Sequence, residues 1–459
     1  MSGDIDAICA LDAHGQADLV RRGDVPPTAL LDAALARIDA LNPALNAVAH
    51  VAAAQAHAAL AGLDRSAPMA GVPYLLKASM EYPGFPWLSG SRSRQGTVGR
   101  RKYPFARRMD ALGLVPCGLS TMPEFGLIGS GEALLYGPTR NPWNLEHGAG
   151  GSSSGAAAAV AACMVPLATG SDGGGSIRIP ASHCGIIGFK PSRNWNLRAR
   201  AVSLIDDLLA SDGLYGRSMR DTAWAARALR SQPPGPAAPG RPLRIAVSLQ
   251  GLDGQLPAPD IVEMIGRTAT LCADLGHAVE PRELPLDLGA LNRAFDILWS
   301  YGAGEVVDLT RSRLGAAADA VLEPWTLGLA DRRQAVTPDD LAAALSAIGR
   351  IDLHLATFWE RFDLVLSPVA ASTAPSLGVL APDRAFDELW RDHFRHVNHT
   401  QLQNMAGYPG LSLPLFEGEG GLPAGAMFWT RHGGDDLLLA LGAALEEARP
   451  WAHRRPPLA

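Results

Sequence analysis

The sequence predicts an α/β fold in which a mixed, mostly buried β-sheet is surrounded by helices. Segments with strand patterns and segments with helix patterns alternate along the whole chain, and no internal repeat divides it. Of the 459 residues, 47% are apolar and 19% are charged, against a usual charged share of about 25%. Such a chain can bury a large core.

The first part of the chain alternates helix and strand patterns. In order, these predict helix 27–42, helix 43–60, strand 70–77, helix 105–113, strand 114–120, an irregular loop 122–131, helix 155–163 and strand 164–169. Thr28 is a candidate N-cap of the first helix, and Pro43 would separate it from the second. The helix 155–163 is rich in alanine, which is typical of a core helix.

The second part continues the alternation. It predicts helix 217–230, an exposed connector 231–242, strand 243–249, helix 259–275, a mostly helical region 287–361, strands 364–370, 409–415 and 424–430, and a final helix 436–448. Ser218 and Asp221 have the spacing of a capping box at the start of helix 217–230.

Charge and cysteine usage exclude several classes of protein. A net charge of −6 argues against a nucleic-acid-binding face. The cysteines stand singly, which predicts reduced, mostly buried thiols of a cytoplasmic protein: Cys9, Cys117, Cys163, Cys184 and Cys272. Early acidic residues argue against a signal peptide, and the sequence has no 18 uninterrupted apolar residues that would predict a membrane span.

The glycine-rich segment GAGGSSSG, 148–155, raises the alternative of a nucleotide-binding loop. A Walker A loop needs lysine after its last glycine, where this chain has Ala156. A dinucleotide fingerprint would need a third glycine at Ser153, although Asp172 lies about 20 residues on, where the fingerprint has an acid. These departures disfavour a nucleotide cofactor.

The segment HFRHVNH raises the alternative of a metal site. On a helix, His393, His396 and His399 fan over roughly 120° and cannot all meet one metal ion comfortably. No carboxylate stands in HExxH spacing with them. We therefore predict a solvated or partly buried helix face and no metal.

A third group of residues carries chemistry. Ser176 follows three glycines in TGSDGGGSIRIP. Ser152 lies 24 positions before Ser176 and follows Gly150 and Gly151, and Lys77 ends an apolar run. Taken singly, such serines are turn formers and such a lysine lies at the surface. Together they supply a nucleophile beside N–H donors, a hydroxyl relay and a base.

Four segments in this order resemble the amidase signature family: GVPYLLK 71–77, PTRNPW 138–143, GAGGSSSG 148–155 and SDGGGSIRIPASHCGIIGFKP 171–191. The resemblance extends from 27–60 to the C-terminal helix. It implies the amidase signature fold as one large domain over 1–459. Within it we expect a signature core at about 70–220, a more variable, mostly helical substrate side at about 243–400, and C-terminal strands and a helix at 401–459.

The resemblance also implies roles. Ser176 is the nucleophile, Ser152 a serine after a cis peptide bond, and Lys77 the base. The N–H groups of Gly173, Gly174, Gly175 and Ser176 correspond to the oxyanion hole, and Asp172 and Arg178 support that loop. Gly126 and Leu127 fall where substrate-facing residues occur, so a bulky side chain at Gly126 is expected to exclude large acyl groups and nearly spare small amides.

The implied function is hydrolysis of an amide C–N bond through an acyl-enzyme, without metal or cofactor. The expected partner is a small-molecule amide, with no nucleic acid and no membrane, and a homodimer stays open. Two alternatives are a glutaminase-type amidotransferase subunit acting in a complex and a non-catalytic interaction protein on the same fold. Two segments, 362–378 and 445–458, most resemble 6-aminohexanoate-cyclic-dimer hydrolases and related bacterial amidases, but aryl, indole and secondary-metabolite amides are equally open. Ala78, Ser154 and the segment GLST at 118–121 depart from the family pattern.

Overall fold

Two β-sheets that meet at one edge form the frame of the fold. The computed structural model describes residues 2–200, 203–233, 235 and 240–458. Its strands are β1 (Val48–Val51), β2 (Pro73–Lys77), β3 (Val115–Ser120), β4 (Glu132–Ala133), β5 (Gly137–Pro138), β6 (Arg140–Asn141), β7 (Asn144–Gly148), β8 (Leu167–Asp172), β9 (Gly188–Lys190), β10 (Ser211–Tyr215), β11 (Arg244–Val247), β12 (Ala278–Pro281), β13 (Leu364–Pro368), β14 (Gly410–Glu417) and β15 (Pro423–Trp429).

Helices cover these sheets. They are α1 (Ser2–Ala10), α2 (Ala13–Arg22), α3 (Pro27–Leu45), α4 (Ala53–Ala61), α5 (Pro104–Ala111), α6 (Ser154–Ala161), α7 (Arg178–Cys184), α8 (Leu204–Leu209), α9 (Met219–Ala228), α10 (Pro259–Asp274), α11 (Leu288–Leu314), α12 (Ala318–Val321), α13 (Pro324–Arg333), α14 (Pro338–Gly349), α15 (Ile351–Arg361), α16 (Phe386–Val397), α17 (Gln401–Ala406) and α18 (Asp435–Ala448).

The strand order combines parallel and antiparallel pairs. The first sheet has the order β1-β3-β2-β8-β10, and the second has the order β12-β11-β13-β15-β14-β9. A single bridge between Ile187 and Gly216 joins the two sheets beside β9 and β10. The prediction of an α/β fold with a mixed, buried sheet is confirmed.

The centre of the first sheet positions the candidate site. β2 is parallel to both β3 and β8, so the carboxyl ends of these strands meet at one edge of the sheet. Lys77 ends β2, and Ser171 and Asp172 end β8. Every side chain of the alanine-rich α6 is buried, because small residues let this helix lie within the core.

The structure corrects the predicted helix 43–60. α3 continues through Pro43 to Leu45, and the chain then forms β1 before α4 begins at Ala53. Asn46 ends α3 with a left-handed backbone conformation, φ 50°. Val48 then pairs with Ser120 of β3, so sheet pairing overrides the helical pattern of the segment.

Smaller differences concern element boundaries. Pro26 is the N-cap of α3, so Thr28 lies in the first turn and is not the cap. The strand predicted at 164–169 lies at 167–172, as β8. The short strands β9, β10 and β12 were not predicted, because each has only three to five residues. Part of the predicted connector 231–242 lies outside the described residues.

Two further predictions can be compared with the described residues. All five cysteines are buried free thiols, as predicted. One helical stretch, Pro338–Arg361, is long and apolar enough by length and composition to cross a membrane, although the sequence predicted no such span. That stretch comprises α14 and α15, which are separate helices divided at Arg350. A single stretch of this kind is weak evidence for a membrane span.

Candidate active site

Residues that are far apart in the sequence line one cavity of about 730 Å³. Lys77 enters it from the end of β2, Ser152 from the loop before α6, and Ser176 from the turn between β8 and α7. Gly126 and Gly173 line the same cavity. The structure therefore brings the predicted nucleophile, relay and base together.

Lys77 is held by a ring of hydroxyl groups. Its ammonium nitrogen Nζ lies 2.8 Å from Ser152 Oγ, 2.9 Å from Ser153 Oγ and 2.9 Å from Ser171 Oγ. The side chain is buried, with 1% of its surface exposed. Ser153 and Ser171 were not predicted. Their positions next to Ser152 and Asp172 are the only signal for them in the sequence.

The surroundings of Lys77 favour its neutral form. Burial, followed by the positive charge of Arg200, lowers the pKa of Lys77 to about 7 from its ordinary 10.5. The carboxylates of Asp212 and Asp172 act in the opposite direction without restoring the ordinary value. A large fraction of the amine is therefore neutral at neutral pH and can accept a proton.

The two candidate serines differ in their hydrogen bonds. The Gly151–Ser152 peptide bond is cis, as the resemblance implied. Ser152 Oγ accepts a hydrogen bond from Lys77, whereas in the described part of the chain the hydroxyl of Ser176 has no hydrogen bond to a protein group. Ser176 is 8% exposed and lines the cavity. Its hydroxyl is thus open to a molecule bound there.

The glycine turn before Ser176 offers fewer free N–H donors for an oxyanion than the family resemblance implied. The Gly175 N–H donates to Asp172 Oδ1 at 2.7 Å, so this donor is already in use. Gly175 serves the turn in another way, because it has φ +128° and an added Cβ would lie 2.2 Å from Thr400 Oγ1. Gly173, Gly174 and Ser176 remain as the candidate N–H donors.

A buried ion pair holds this turn in place. Arg178 donates from Nε and one terminal nitrogen to the two carboxylate oxygens of Asp172, both at 2.9 Å. Burial alone would raise the pKa of Asp172, but the Arg178 charge and hydrogen bonds hold it well below the ordinary range. Gln403 and Asn404 of α17 and the Met427 sulfur accept further Arg178 hydrogen bonds. Both predicted supporting residues therefore contact each other behind the turn.

The positions that depart from the family pattern fit the fold. Ala78 is fully buried, and its N–H donates to the Ser120 carbonyl at 3.2 Å. The Thr121 carbonyl of the GLST segment accepts hydrogen bonds from Ser154 Oγ and the Gly155 N–H at the start of α6. These contacts tie β3 to α6 beside Lys77.

Aromatic and apolar side chains form much of the cavity wall. They include Trp87, Met122, Phe125, Leu127 and Trp299. The Trp299 indole N–H donates to the Leu127 carbonyl at 3.0 Å, and the same carbonyl accepts from Trp325 at 3.0 Å. The predicted loop 122–131 is thus fixed against the helical region that follows residue 287.

The structure changes the expectation for Gly126. This residue has φ +74°, and a Cβ added there would lie 3.0 Å from Ser152 Oγ. A side chain at this position is therefore strained and presses on the relay serine, which must give by a few tenths of an ångström. This contact would affect small and large acyl groups alike. It would not produce the discrimination by size that the family resemblance led us to expect at this position.

We expect Gly126→Ala to lower kcat by about 10- to 100-fold for small and large amides alike, because the methyl group misplaces Ser152. Initial rates with short- and long-chain amides would measure this. Gly84→Ala is the matched control, since Gly84 has φ +81° but nothing within 4 Å of an added Cβ. Loss of activity with long-chain amides only would contradict the structural expectation.

The three histidines are buried rather than solvated, with 4–6% of each exposed. His396 Nε2 lies 3.3 Å from His183 Nε2, and His393 Nε2 accepts the Gly129 N–H at 2.8 Å. No group of three or more His, Cys, Asp or Glu side chains that could hold a metal ion occurs in the described residues. The cluster connects α16 to the loop 122–131.

Burial of these histidines predicts acid sensitivity of the fold. Desolvation first, and the neighbouring His396, lower the pKa of His393 to about 3, and burial lowers that of His396 to about 4. The unfolded chain binds these protons near pH 6.5 and the folded chain does not, so stability falls as pH drops from 6.5 towards 4. Each of these buried histidines lowers the free energy of unfolding by about 1.4 kcal/mol for each pH unit of this drop.

Thermal or urea midpoints between pH 7.5 and 4.5 would measure this loss of stability. His393→Gln is expected to make the midpoint less dependent on pH, whereas the exposed His354→Gln leaves the dependence as it is. An unchanged dependence in His393→Gln would contradict the expectation.

Comparisons with known proteins agree with this geometry. The chain is 36% identical over 468 residues to a Mycobacterium leprae protein provisionally named amidase AmiC, covering 98% of this chain and 97% of that protein. It is 33% identical to 6-aminohexanoate-cyclic-dimer hydrolase of Pseudomonas sp. strain NK87, covering 97% and 96%. A solved structure of 6-aminohexanoate cyclic dimer hydrolase with substrate superposes with a TM-score of 0.89 at 29% identity, covering 98% and 99%.

The family itself follows from a match over most of the chain. The model of the Amidase family matches residues 29–439, which include Lys77, Ser152 and Ser176. The fold and the order of the sequence motifs point to the same family. This chain belongs to the amidase family, whose members hydrolyse amides.

Proposed function

We propose that this chain hydrolyses the C–N bond of a carboxylic acid amide through an acyl-enzyme on Ser176, with Ser152 as proton relay and Lys77 as base. The observation that carries the proposal is the 2.8 Å contact between Lys77 Nζ and Ser152 Oγ, in a cavity that Ser176 also lines. A lysine with a pKa lowered to about 7 suits this role.

The first half-reaction forms the acyl-enzyme. Ser176 Oγ attacks the amide carbonyl carbon while its proton passes to Ser152, whose own proton passes to neutral Lys77. The carbonyl oxygen becomes an oxyanion beside the N–H groups of the glycine turn; loss of one such donor typically costs about 10²–10³ in kcat. The C–N bond then breaks, and the departing amine takes a proton returned along the same relay.

The second half-reaction regenerates the enzyme. Water attacks the ester carbon on Ser176 and gives its proton to the relay. The Ser176 oxygen leaves as a hydroxyl after taking that proton back, and the carboxylic acid is released. No step requires a metal ion or an organic cofactor, and we propose a cytoplasmic enzyme because all five thiols are free and buried.

The cavity supports a substrate with an apolar part. Its aromatic and aliphatic lining suits a linear or cyclic amide carrying a hydrocarbon chain or ring. Relatives named for a cyclic-dimer amide and an aryl acylamide have the same fold. We include both linear and cyclic amides in the proposal.

A panel of primary, linear and cyclic amides and simple esters, assayed with purified protein, tests the proposal. Hydrolysis that persists in EDTA and stops after labelling by a serine-reactive fluorophosphonate would support it. Failure of the probe to label, with no turnover of any amide, would favour a non-catalytic protein. Turnover that requires a co-purifying subunit would favour the amidotransferase alternative.

A further inference from the structure

One wall of the cavity carries a guanidinium group that has no carboxylate partner among the described residues. Arg94 lines the cavity beside two aromatic rings, with its guanidinium carbon 4.6 Å from the Trp87 ring centroid and 5.2 Å from that of Phe125. Its side chain donates one hydrogen bond, to Ser89 Oγ at 3.0 Å. Among the described residues it forms no salt bridge.

Two other arginines of this region have acidic partners. Arg178 is paired with Asp172, and Arg200 is paired with Asp206 and Asp212. The acid whose charge acts on Arg94 is Glu81, and its Oε1 already accepts the N–H groups of Arg100 and Arg101. Unlike these two arginines, Arg94 has no acidic partner in the described part of the chain.

The other charged side chains that line this end of the cavity do not pair with Arg94 in the described residues. Arg313 of α11 lines the same cavity and adds further positive charge, and its guanidinium donates to the Ser93 carbonyl. Asp308 lines the cavity but is paired with Arg333. Glu305 lines the cavity and is exposed, and it forms no salt bridge with Arg94 in the described residues. A half-buried, unpaired cation is costly unless an anion approaches it.

Arg94 lines the same cavity as the candidate reacting groups. The ring of Phe125 contacts Arg94, and the next residue, Gly126, approaches Ser152. A substrate that reaches Ser176 would therefore extend past Phe125 to Arg94 within one cavity. The two rings restrict the positions open to the guanidinium group, which suits two-point recognition of a carboxylate.

We propose that Arg94 is a specificity-determining residue that binds an anionic group, a carboxylate, which the amide substrate carries away from its scissile bond. This inference rests on the proposed function, because it assigns the substrate class of the same cavity. Trp87 and Phe125 hold the guanidinium group, and Arg313 adds positive charge to this end of the cavity. The apolar wall between Arg94 and Ser176 accommodates the hydrocarbon part.

Three matched nitroanilides test the proposal. Hexanoyl 4-nitroanilide is neutral, adipic acid mono-4-nitroanilide has the carboxylate on the acyl side, and N-hexanoyl-5-amino-2-nitrobenzoate has it on the amine side. The native protein is expected to show a kcat/KM at least about 10-fold higher for one of the two anionic substrates, the range of a charge-assisted hydrogen bond. The preferred substrate tells on which side of the amide Arg94 lies.

Arg94→Gln is expected to abolish this preference and to change hydrolysis of the neutral anilide by less than about threefold. Arg94→Lys is expected to retain part of the preference, because it keeps the charge but not the planar fork. Equal losses for all three substrates in Arg94→Gln would show that Arg94 only holds Trp87 and Phe125 in place. That result, or a native protein without any preference, would overturn the proposal.

Binding measurements separate this inference from the proposed function. Isothermal titration of Ser176→Ala protein with the same anilides does not depend on turnover. An anionic anilide is expected to bind at least about 10-fold more tightly than the neutral one, and Arg94→Gln in the same background is expected to remove the difference. If the native protein hydrolyses neither these anilides nor any amide of the wider panel but this difference is found, the proposed function fails and the anion site stands. Equal dissociation constants would overturn the anion site.

Discussion

Ser176→Ala is expected to abolish amide hydrolysis, with a loss of about 10⁴-fold or more in kcat, and to leave the fold intact. The substitution removes a hydroxyl that lines the cavity and has no hydrogen bond to a protein group in the described part of the chain. The backbone of the turn is held independently, because Asp172 accepts the N–H groups of Gly175 and Ile177. Steady-state kinetics and circular dichroism would measure the two parts of this expectation.

Ser154→Ala is the matched control for the nucleophile. Ser154 is fully buried and lies two residues after Ser152, but its hydroxyl contacts the Thr121 carbonyl and not Lys77. It should keep amide turnover. Mass spectrometry of protein quenched during turnover of an activated ester should find the acyl group on the peptide that contains Ser176. Turnover by Ser176→Ala, or an adduct on another serine, would overturn the assignment.

The sequence predicted the fold class well because most long elements have clear periodicity. Helices such as α10 and α18 and strands such as β13 and β15 lie close to their predicted positions. The prediction of a helix over 43–60 was wrong because β1 forms by pairing with β3, about 70 residues further along the chain. Such pairing leaves no local signal in a four-residue strand.

For the candidate site, local patterns alone are compatible with turn-forming serines and a surface lysine. Only the family resemblance indicated that Lys77, Ser152 and Ser176 act together. What the resemblance could not supply is the detail of contacts. Lys77 has three hydroxyl partners, not one, and Gly175 gives its N–H to Asp172. Arg94 was not predicted either. It stands in a polar segment with several arginines, 58 residues before Ser152, and nothing in the sequence indicates that it lines the same cavity.

Lys77→Met is expected to lower kcat/KM for amides by about 10²–10⁴-fold, the usual contribution of a general acid–base group, and to affect activated esters less. An amine leaves poorly unless it receives a proton, whereas a nitrophenolate leaves without one. The native protein should show kcat/KM rising as pH increases through about 7 and levelling above it, because only neutral Lys77 accepts a proton. Lys77→Met, assayed with an ester, should lose this rise.

A second buried lysine makes a control for this assignment necessary. Burial, followed by the Arg178 charge, lowers the pKa of Lys190 to about 7 as well. Its ammonium group donates to the Pro191 and Tyr408 carbonyls, and it is not among the residues that line the cavity. Lys190→Met protein that remains folded should therefore keep both its amide turnover and the rise through pH 7. If the rise disappears in Lys190→Met and persists in Lys77→Met, the base is not Lys77. If Lys77→Met loses the same activity towards amides and esters, Lys77 does not protonate the leaving amine.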